Sequence, residues 1–325
     1  MPKALVAGCC GQDGVYLTRL LRSKGYQVSG IDLGGRNSEV DCFHSADLTD
    51  RKAIRGIVAE SQPDEVYFLA AFHQSSEGPR ISEEELLTQS LEVNTLALCH
   101  MLGALADMRP SSRLLYASSS RVFGRARAAV QSEETPLAPV EPYGISKMAG
   151  MQICQYWRLS ARFFAVSAIL YNHESSFRPP YFLSKKIVQF AVSSARGESS
   201  KLSLGSLSAQ VDWGHAADTT RAMWLILQQT EPTDFVVATG ELHTVRDWLD
   251  EAFGIFSLDW RGLVIENPDL LNPDRPSATL CGDSSKLRQA TGWRPDFNFQ
   301  GLVRELVESE WARQTNNPLG TKVAS

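Results

Sequence analysis

The residues best suited to chemistry are Tyr143 and Lys147, four positions apart in Tyr143-Gly144-Ile145-Ser146-Lys147. On a helix that spacing puts a phenol and an ammonium on one face. A tyrosine hydroxyl, with an ordinary pKa of about 10, is too weakly acidic to act as a base at neutral pH, but a neighbouring ammonium can lower that value. Upstream, Ser118-Ser119-Ser120 ends a strand-like run that begins at Arg113. Open α/β sheets bind ligands at strand carboxyl ends, so Ser119 is placed to hydrogen-bond a reacting oxygen while Tyr143 exchanges its proton. A Tyr–Lys spacing of this kind is common by chance, and an isolated tyrosine more often packs than reacts. Its weight here comes from its order along the chain, behind a glycine-rich turn and a strand-end serine cluster.

That turn is Gly8-Cys9-Cys10-Gly11-Gln12-Asp13-Gly14, between a short apolar strand, Ala4–Ala7, and a helical stripe of Leu17, Leu20 and Leu21. Glycines at 8, 11 and 14 let the chain turn sharply and approach a pyrophosphate, which the helix N-terminus holds through its free N–H groups and dipole. Asp32 ends the next strand, Gln27–Asp32, where a carboxylate accepts hydrogen bonds from adenosine ribose hydroxyls. The expected cofactor is a nicotinamide dinucleotide, with Lys147 holding its nicotinamide ribose as well as lowering the Tyr143 pKa. Asp32 repels a 2′-phosphate and favours NAD; nearby Arg36 can bind that phosphate and leaves NADP open. Cys9 and Cys10 read as small loop residues rather than redox thiols, since sequence neighbours seldom make a workable disulfide.

These groups need a parallel sheet to position them. Strand-like runs at Glu65–Ala71, Arg113–Ser118 and Phe164–Leu170 alternate with helical patterns after Asp50, around Leu86–Met101 and from Tyr143. Asp50 suits an N-cap, with Ile54, Ile57 and Val58 on one face of its helix. The alternation implies right-handed βαβ units, hence an α/β fold with a Rossmann-type doubly wound parallel sheet. After Leu170 the pattern loosens into Pro179-Pro180, a helix near Ser184–Ala195, a short strand at Leu202–Leu204 and a Pro-rich stretch from Pro268 to Pro276. Residues 1–170 are expected to form a dinucleotide-binding domain. A helix near Ala216–Gln228 and a strand at Phe235–Thr239 return to it within 213–240. Residues 171–212 and 241–313 then make a smaller C-terminal substrate-binding region, closed by a helix carrying Leu302, Val303, Leu306, Val307 and Trp311. The remainder, 314–325, is a polar tail.

The chain's 325 residues are 43% hydrophobic and 21% charged, ordinary for a globular protein that buries a sizeable core. A net charge of −5 argues against coating nucleic acid or seeking a membrane surface. Apolar runs are too short to span a bilayer, and the N-terminus lacks the apolar core of a signal peptide. Six cysteines with no CxxC pair and no Cys/His cluster suggest neither disulfides nor a metal site, and a reducing, cytoplasmic compartment.

Gly11-Gln12-Asp13-Gly14, followed by Val15-Tyr16-Leu17, resembles the opening of the GDP-mannose 4,6-dehydratases. The similarity continues through Asp47-Leu48, Leu69-Ala70-Ala71, Val93-Asn94, Pro142-Tyr143-Gly144 and Leu170-Tyr171-Asn172-His173-Glu174-Ser175. Leu204-Gly205-Ser206-Leu207, Asp212-Trp213-Gly214, Ala222-Met223-Trp224, Ala238-Thr239-Gly240-Glu241, Asp274-Arg275-Pro276, Gly282-Asp283, Gly292-Trp293 and Pro295 carry it further. The resemblance implies an extended short-chain dehydrogenase/reductase acting on a nucleotide-diphosphate sugar, with GDP favoured as the nucleotide, and working as a homodimer or homotetramer. It implies cofactor contacts from Gln12, Asp13, Asp47, Leu48, Leu69, Ala70, Ala71, His173 and Arg178. Asn172, Lys186 and Arg275 would hold the substrate diphosphate.

Departures from the family bear on the reaction. Where the family reads Ser-Thr-Ser-Glu-Leu-Tyr-Gly, this chain has Ser118-Ser119-Ser120-Arg121-Val122-Phe123-Gly124. The resemblance thus puts Arg121 in the slot of the carboxylate that removes the C5 proton for loss of water. A guanidinium stays protonated and is no such base, although related dehydratases use Lys in this slot. Arg121 either points to solvent or binds an anionic or electron-rich group of the substrate. The family's diphosphate-binding Arg before Asp-Trp-Gly is Val211, its twin-Arg loop shortens to Gly34-Gly35-Arg36, and Phe72 replaces a Gln. The expected reaction is hydride transfer at C4 without dehydration, by a 4-ketoreductase or 4-epimerase. A 4,6-dehydratase with a different base is the alternative. A catalytically silent dinucleotide-binding regulator is a third reading, against which Ser119, Tyr143 and Lys147 speak.

Overall fold

The computed structural model describes residues 1–73, 81–198, 200–270, 279–317 and 319. Short apolar runs in the first half become β1 (Lys3–Ala7), β2 (Gln27–Asp32), β3 (Cys42–Ser45), β4 (Glu65–Phe68), β5 (Arg113–Ser119) and β6 (Phe164–Leu170). Later strands are β7 (Asn172–Glu174), β8 (Leu202–Leu204), β9 (Gln210–His215), β10 (Phe235–Val237), β11 (Leu242–Thr244) and β12 (Val264–Glu266). The first helices are α1 (Gln12–Ser23), α2 (Arg51–Ser61), α3 (Glu83–Leu91) and α4 (Ala97–Met108), the last two joined by a π-helical turn over Glu92–Leu96. Then come α5 (Pro142–Ser160), α6 (Leu183–Ala195), α7 (Ala216–Leu227), α8 (Val245–Gly254), α9 (Ser285–Thr291) and α10 (Phe299–Thr315).

One sheet runs β3-β2-β1-β4-β5-β6-β10, with every neighbouring pair parallel. Alternate residues of β1 enter opposite layers, as the pleat requires. Ala4 and Val6 share a buried cluster with Leu17 and Leu21 of α1 and Met223 and Ile226 of α7. Leu5 and Ala7 join Ile54 and Val58 of α2 and Met101 and Leu105 of α4. Helices on both faces are what an all-parallel sheet needs, and the doubly wound architecture is the expected one. Strand order reverses between β1 and β4, the switch point at which such sheets bind ligands.

A third core lies beyond the sheet. Ile187 and Val188 of α6, Trp248 and Leu249 of α8, and Leu302 and Leu306 of α10 are buried with Leu204, Trp213 and Val264 from β8, β9 and β12. β7, β9 and β11 form a small mixed sheet, and β8 pairs with β12. Asp50 caps α2 as expected, its side chain accepting from Lys52 N and Ala53 N. Two strands stop short of their expected ends. The amides of Leu69 and Ala70 both turn to Ala7 O, and those of Thr239 and Gly240 turn to the Asp212 carboxylate. Among the described residues no helix is long and apolar enough to cross a membrane.

Candidate active site

Backbone contacts shape the turn after β1. Gly8 adopts a φ of +88° while its N–H donates to Ile31 O at 2.8 Å, and a Cβ there would stand 2.7 Å from Ala70 N. A Cβ on Gly14 would overlap the Gly8 carbonyl and the Cys9 backbone. Gly11 differs: its φ of −71° suits any residue, and a Cβ would meet only Gly8 O, at an ordinary 3.5 Å. Packing within the protein therefore demands glycine at 8 and 14. The exposed Gly11 leaves room on the outer side, before an α1 N-terminus that no side chain caps. Such a cradle fits a diphosphate held by helix amides.

Other expected cofactor residues line the same sheet edge. Asp32 Oδ2 accepts from Cys10 N and Oδ1 from Leu33 N, each at 2.9 Å, which ties the end of β2 to the turn. Arg36 is exposed in the loop that follows. Beyond β3, Leu48 is buried and Asp47 Oδ1 accepts from Thr49 N at 2.8 Å. Leu69, Ala70 and Ala71 leave the end of β4, with Ala71 exposed.

Gln12 and Asp13 reach across to β7. Gln12 Nε2 donates to His173 O at 2.9 Å, and Ser175 Oγ donates to Gln12 Oε1 at 3.0 Å. His173 Nδ1 lies 2.7 Å from Tyr171 O, and its Nε2 lies 3.0 Å from both Asp13 oxygens. A carbonyl and a carboxylate only accept, so both ring nitrogens must donate and the imidazole is held as a cation. Burial opposes that charge, but Asp13 outweighs it and raises the His173 pKa. Burial equally opposes the charge on Asp13, which His173 and Arg178 overcome, lowering its pKa. Arg178 pairs with Glu174 at 2.9 Å and covers the Phe182 ring at 3.7 Å. Gln12, Asp13, His173 and Arg178 are thus brought together, with much of their polar capacity engaged by one another and by Glu174.

Pro142 opens α5, so Tyr143 sits in its first turn and Lys147 one turn later. The buried Lys147 Nζ donates to Ala117 O at 2.7 Å and lies 5.6 Å from the centre of the Tyr143 ring. Ser119 closes β5, its Oγ accepting from Arg121 N at 3.3 Å. The expectation that Lys147 lowers the Tyr143 pKa needs correcting for the protein itself. Burial is the largest influence on both groups, pushing the phenol up to about 12 and the ammonium down to about 7. Arg178, and more weakly Arg121, are the cations that pull Tyr143 down.

Arg121 answers neither expectation in full. Its half-exposed guanidinium stands with Nε 3.4 Å from Glu141 Oε1, on the residue just before α5, and acts on both Tyr143 and His73. His73 and Glu141 are site residues that the sequence reading missed. The His73 ring lies edge-on to Tyr143, centroids 4.7 Å apart at 86°, and stacks on Phe182 at 6.1 Å. Burial first, then Arg178, Arg121 and Lys147, pull its pKa down to about 4, which leaves a neutral imidazole at neutral pH. Its place just past the carboxyl end of β4 was the available signal.

The buried Asn94, in the π turn, holds these pieces in register. Its Oδ1 accepts from Phe72 N at 2.7 Å, and its Nδ2 donates to Phe72 O at 3.1 Å and Ser146 Oγ at 2.9 Å. One residue thereby ties the strand end that carries His73 to the helix that carries Tyr143. Of the expected substrate ligands, Asn172 is exposed at the start of β7 and Lys186 is partly exposed on α6. Arg275 lies outside the described residues. Val211, on β9, pairs with His243 of β11.

A family model described as GDP-mannose 4,6 dehydratase matches residues 5–306. The GDP-mannose 4,6 dehydratase 2 of Arabidopsis thaliana is 36% identical, over 94% of this chain and 86% of its own length. The human GDP-mannose 4,6 dehydratase is 34% identical, over 97% of this chain and 93% of its own. Among solved structures, the UDP-glucose 4-epimerase of Thermus thermophilus in complex with NAD has a TM-score of 0.80 at 24% identity, covering 95% of this chain and 98% of that one. The family match begins in β1, runs through the glycine turn, the β5 serines and the Tyr143 helix, and ends in α10; the chain belongs to the GDP-mannose 4,6-dehydratase family.

Proposed function

We propose that this protein carries out NAD-dependent hydride transfer at C4 of a nucleotide-diphosphate hexose, with GDP as the favoured nucleotide, and without loss of water. It is then a 4-ketoreductase or a 4-epimerase. The observation that carries this reading is Arg121, paired with Glu141 beside Tyr143, in the slot where the resemblance expects a carboxylate base. A guanidinium cannot take a C5 proton.

A nicotinamide dinucleotide, when bound, supplies the hydride chemistry. Gly8, Gly11 and Gly14 with the α1 N-terminus hold its diphosphate, and Asp32 accepts from its adenosine ribose, which favours NAD over NADP. Asp47, Leu48 and Leu69 to Ala71 border it, and Gln12, Asp13, His173 and Arg178, held to one another beside the turn, contact it as well. Tyr143 exchanges the proton of the C4 oxygen, Ser119 hydrogen-bonds that oxygen, and Lys147 holds the nicotinamide ribose. Asn172, Lys186 and Arg275 receive the sugar nucleotide's diphosphate, and residues 171–212 and 241–313 form its binding region. A regulator that only senses dinucleotide has no use for Ser119, Tyr143 and Lys147 together. A cytoplasmic location and a homodimer or homotetramer belong to the same reading; Tyr156 and Leu159, exposed on α5, suit a subunit contact.

His73 favours one second reading, a 4,6-dehydratase in which this neutral imidazole replaces the carboxylate as base. Mass spectrometry of GDP-mannose after incubation with enzyme and NAD separates the two. The natural protein should release no product lighter by one water. Arg121→Glu should gain that activity, and Val211→Arg added to it should gain more, by restoring a charge for the diphosphate. Efficient water loss by the natural protein, abolished in His73→Asn, would reverse the assignment.

A further inference from the structure

Cys9 and Cys10 take no part in the chemistry above, yet their sulfurs stand 4.0 Å apart. With a carboxylate oxygen of Asp32 they form a group whose donor atoms all lie within 4.8 Å of one another. Two sulfurs bound at about 2.3 Å to a tetrahedral cation stand about 3.8 Å apart, so little movement separates the observed spacing from a ligated one. A disulfide, at about 2.0 Å, would need the sulfurs to approach to half their separation. Cys9 is buried, while Cys10 and Asp32 are partly open to solvent and give a cation its way in. Each Asp32 oxygen spends one lone pair on an amide, Cys10 N or Leu33 N, and keeps another.

We propose that Cys9, Cys10 and Asp32 form a site for one thiophilic divalent cation of the zinc or cadmium class, built into the dinucleotide turn. On binding, two S–H bonds break, two protons pass to the buffer and two metal–sulfur bonds form, with no change of oxidation state. Asp32 supplies the third ligand and water the fourth. A ribose that takes both remaining lone pairs of Asp32, one for each of its hydroxyls, leaves none for the cation. Cation and dinucleotide therefore exclude each other, and the coupling is reciprocal. This competition rests on the reading of Asp32 as the ribose acceptor; the cation site does not.

The described residues hold one other group of this kind, Cys42, His44 and Glu60, where β3 meets α2. Cys42 Sγ lies 3.5 Å from His44 Nε2 there, a Cys/His meeting that the sequence reading did not expect. Cadmium titrated into the full chain, followed by calorimetry and by its ultraviolet thiolate band, tells the two apart. One equivalent should bind with a two-thiolate band; Cys10→Ser should lose it and Cys42→Ser should keep it. NAD at about one hundred times its own Kd should weaken cadmium binding about a hundredfold. Undiminished cadmium binding by Cys10→Ser, or its loss in Cys42→Ser instead, overturns the site. NAD that binds in its own titration without displacing cadmium overturns the exclusion. NAD that fails to bind at all sinks the dinucleotide reading, while the two cysteine variants still decide the cation site.

Discussion

At the end of β1, Gly8 and Gly14 are fixed by backbone atoms that would collide with any side chain. At the end of β5 and the start of α5, Ser119, Arg121, Tyr143 and Lys147 are fixed by hydrogen bonds, an ion pair and burial. The first region is a shape that the chain cannot easily abandon. The second is a balance of charges, in which burial drives Tyr143 up and Lys147 down while the arginines pull Tyr143 back. On the reading proposed above, binding of the cofactor and choice of reaction are carried by separate kinds of structure.

The largest test of that contrast is Tyr143→Phe. Among the described residues the Tyr143 hydroxyl makes no hydrogen bond, so the fold and NAD affinity of this variant should hold while turnover on the true substrate falls roughly a hundredfold or more. Stopped-flow or steady-state rates check this, and near-normal turnover would remove Tyr143 from the chemistry.

Gly14→Ala comes next, with an expected loss of about 1–3 kcal/mol from overpacking against backbone. Gly11→Ala should stay within about 0.5 kcal/mol of the natural stability yet bind NAD less well. Denaturant melts and an NAD titration of both variants sharpen the point. Equal destabilisation would mean that Gly11 too serves the fold rather than the ligand.

His173 tests the first region from outside it, through its bond from β7 to Asp13 on α1. Its folded pKa lies above the usual 6.5, so its bond to Asp13 stabilises fully below that value and loses its contribution as pH rises through the folded pKa. His173→Gln should therefore cost on the order of 1 kcal/mol in mildly acidic buffer and progressively less in alkaline buffer. A deficit that grows with pH would contradict the charged form of His173.

Legibility followed the same division. β2 and β6 run between the residues expected from their apolar patterns, and the glycine turn needed only local sterics. β9 was invisible because Gln210–His215 carries a buried acid and a buried histidine where a strand pattern wants apolar residues. Asp212 earns its burial by accepting from Thr239, Gly240 and Gly282, partners that no local pattern reveals. The Asp13–His173 bond joins positions 160 apart. Arg121 was legible as a departure from the family, but its partner Glu141 and its neighbour His73 emerge only when β4, β5 and α5 are assembled. Lys147 follows Tyr143 by one helical turn, as the spacing expects, but burial, which acts only in the folded chain, pulls its pKa down to about 7.

The π turn at Glu92–Leu96 sets a constraint on length. A π turn is an α-helix carrying one extra residue, and each residue of a helix turns the chain by about 100°. An in-frame deletion of any one codon from 92 to 96 would remove the residue that the wider turn accommodates and close it to regular α winding. Asn94 would then leave Phe72 and Ser146 together. Substitutions across this turn can be absorbed one side chain at a time; a change in its count cannot.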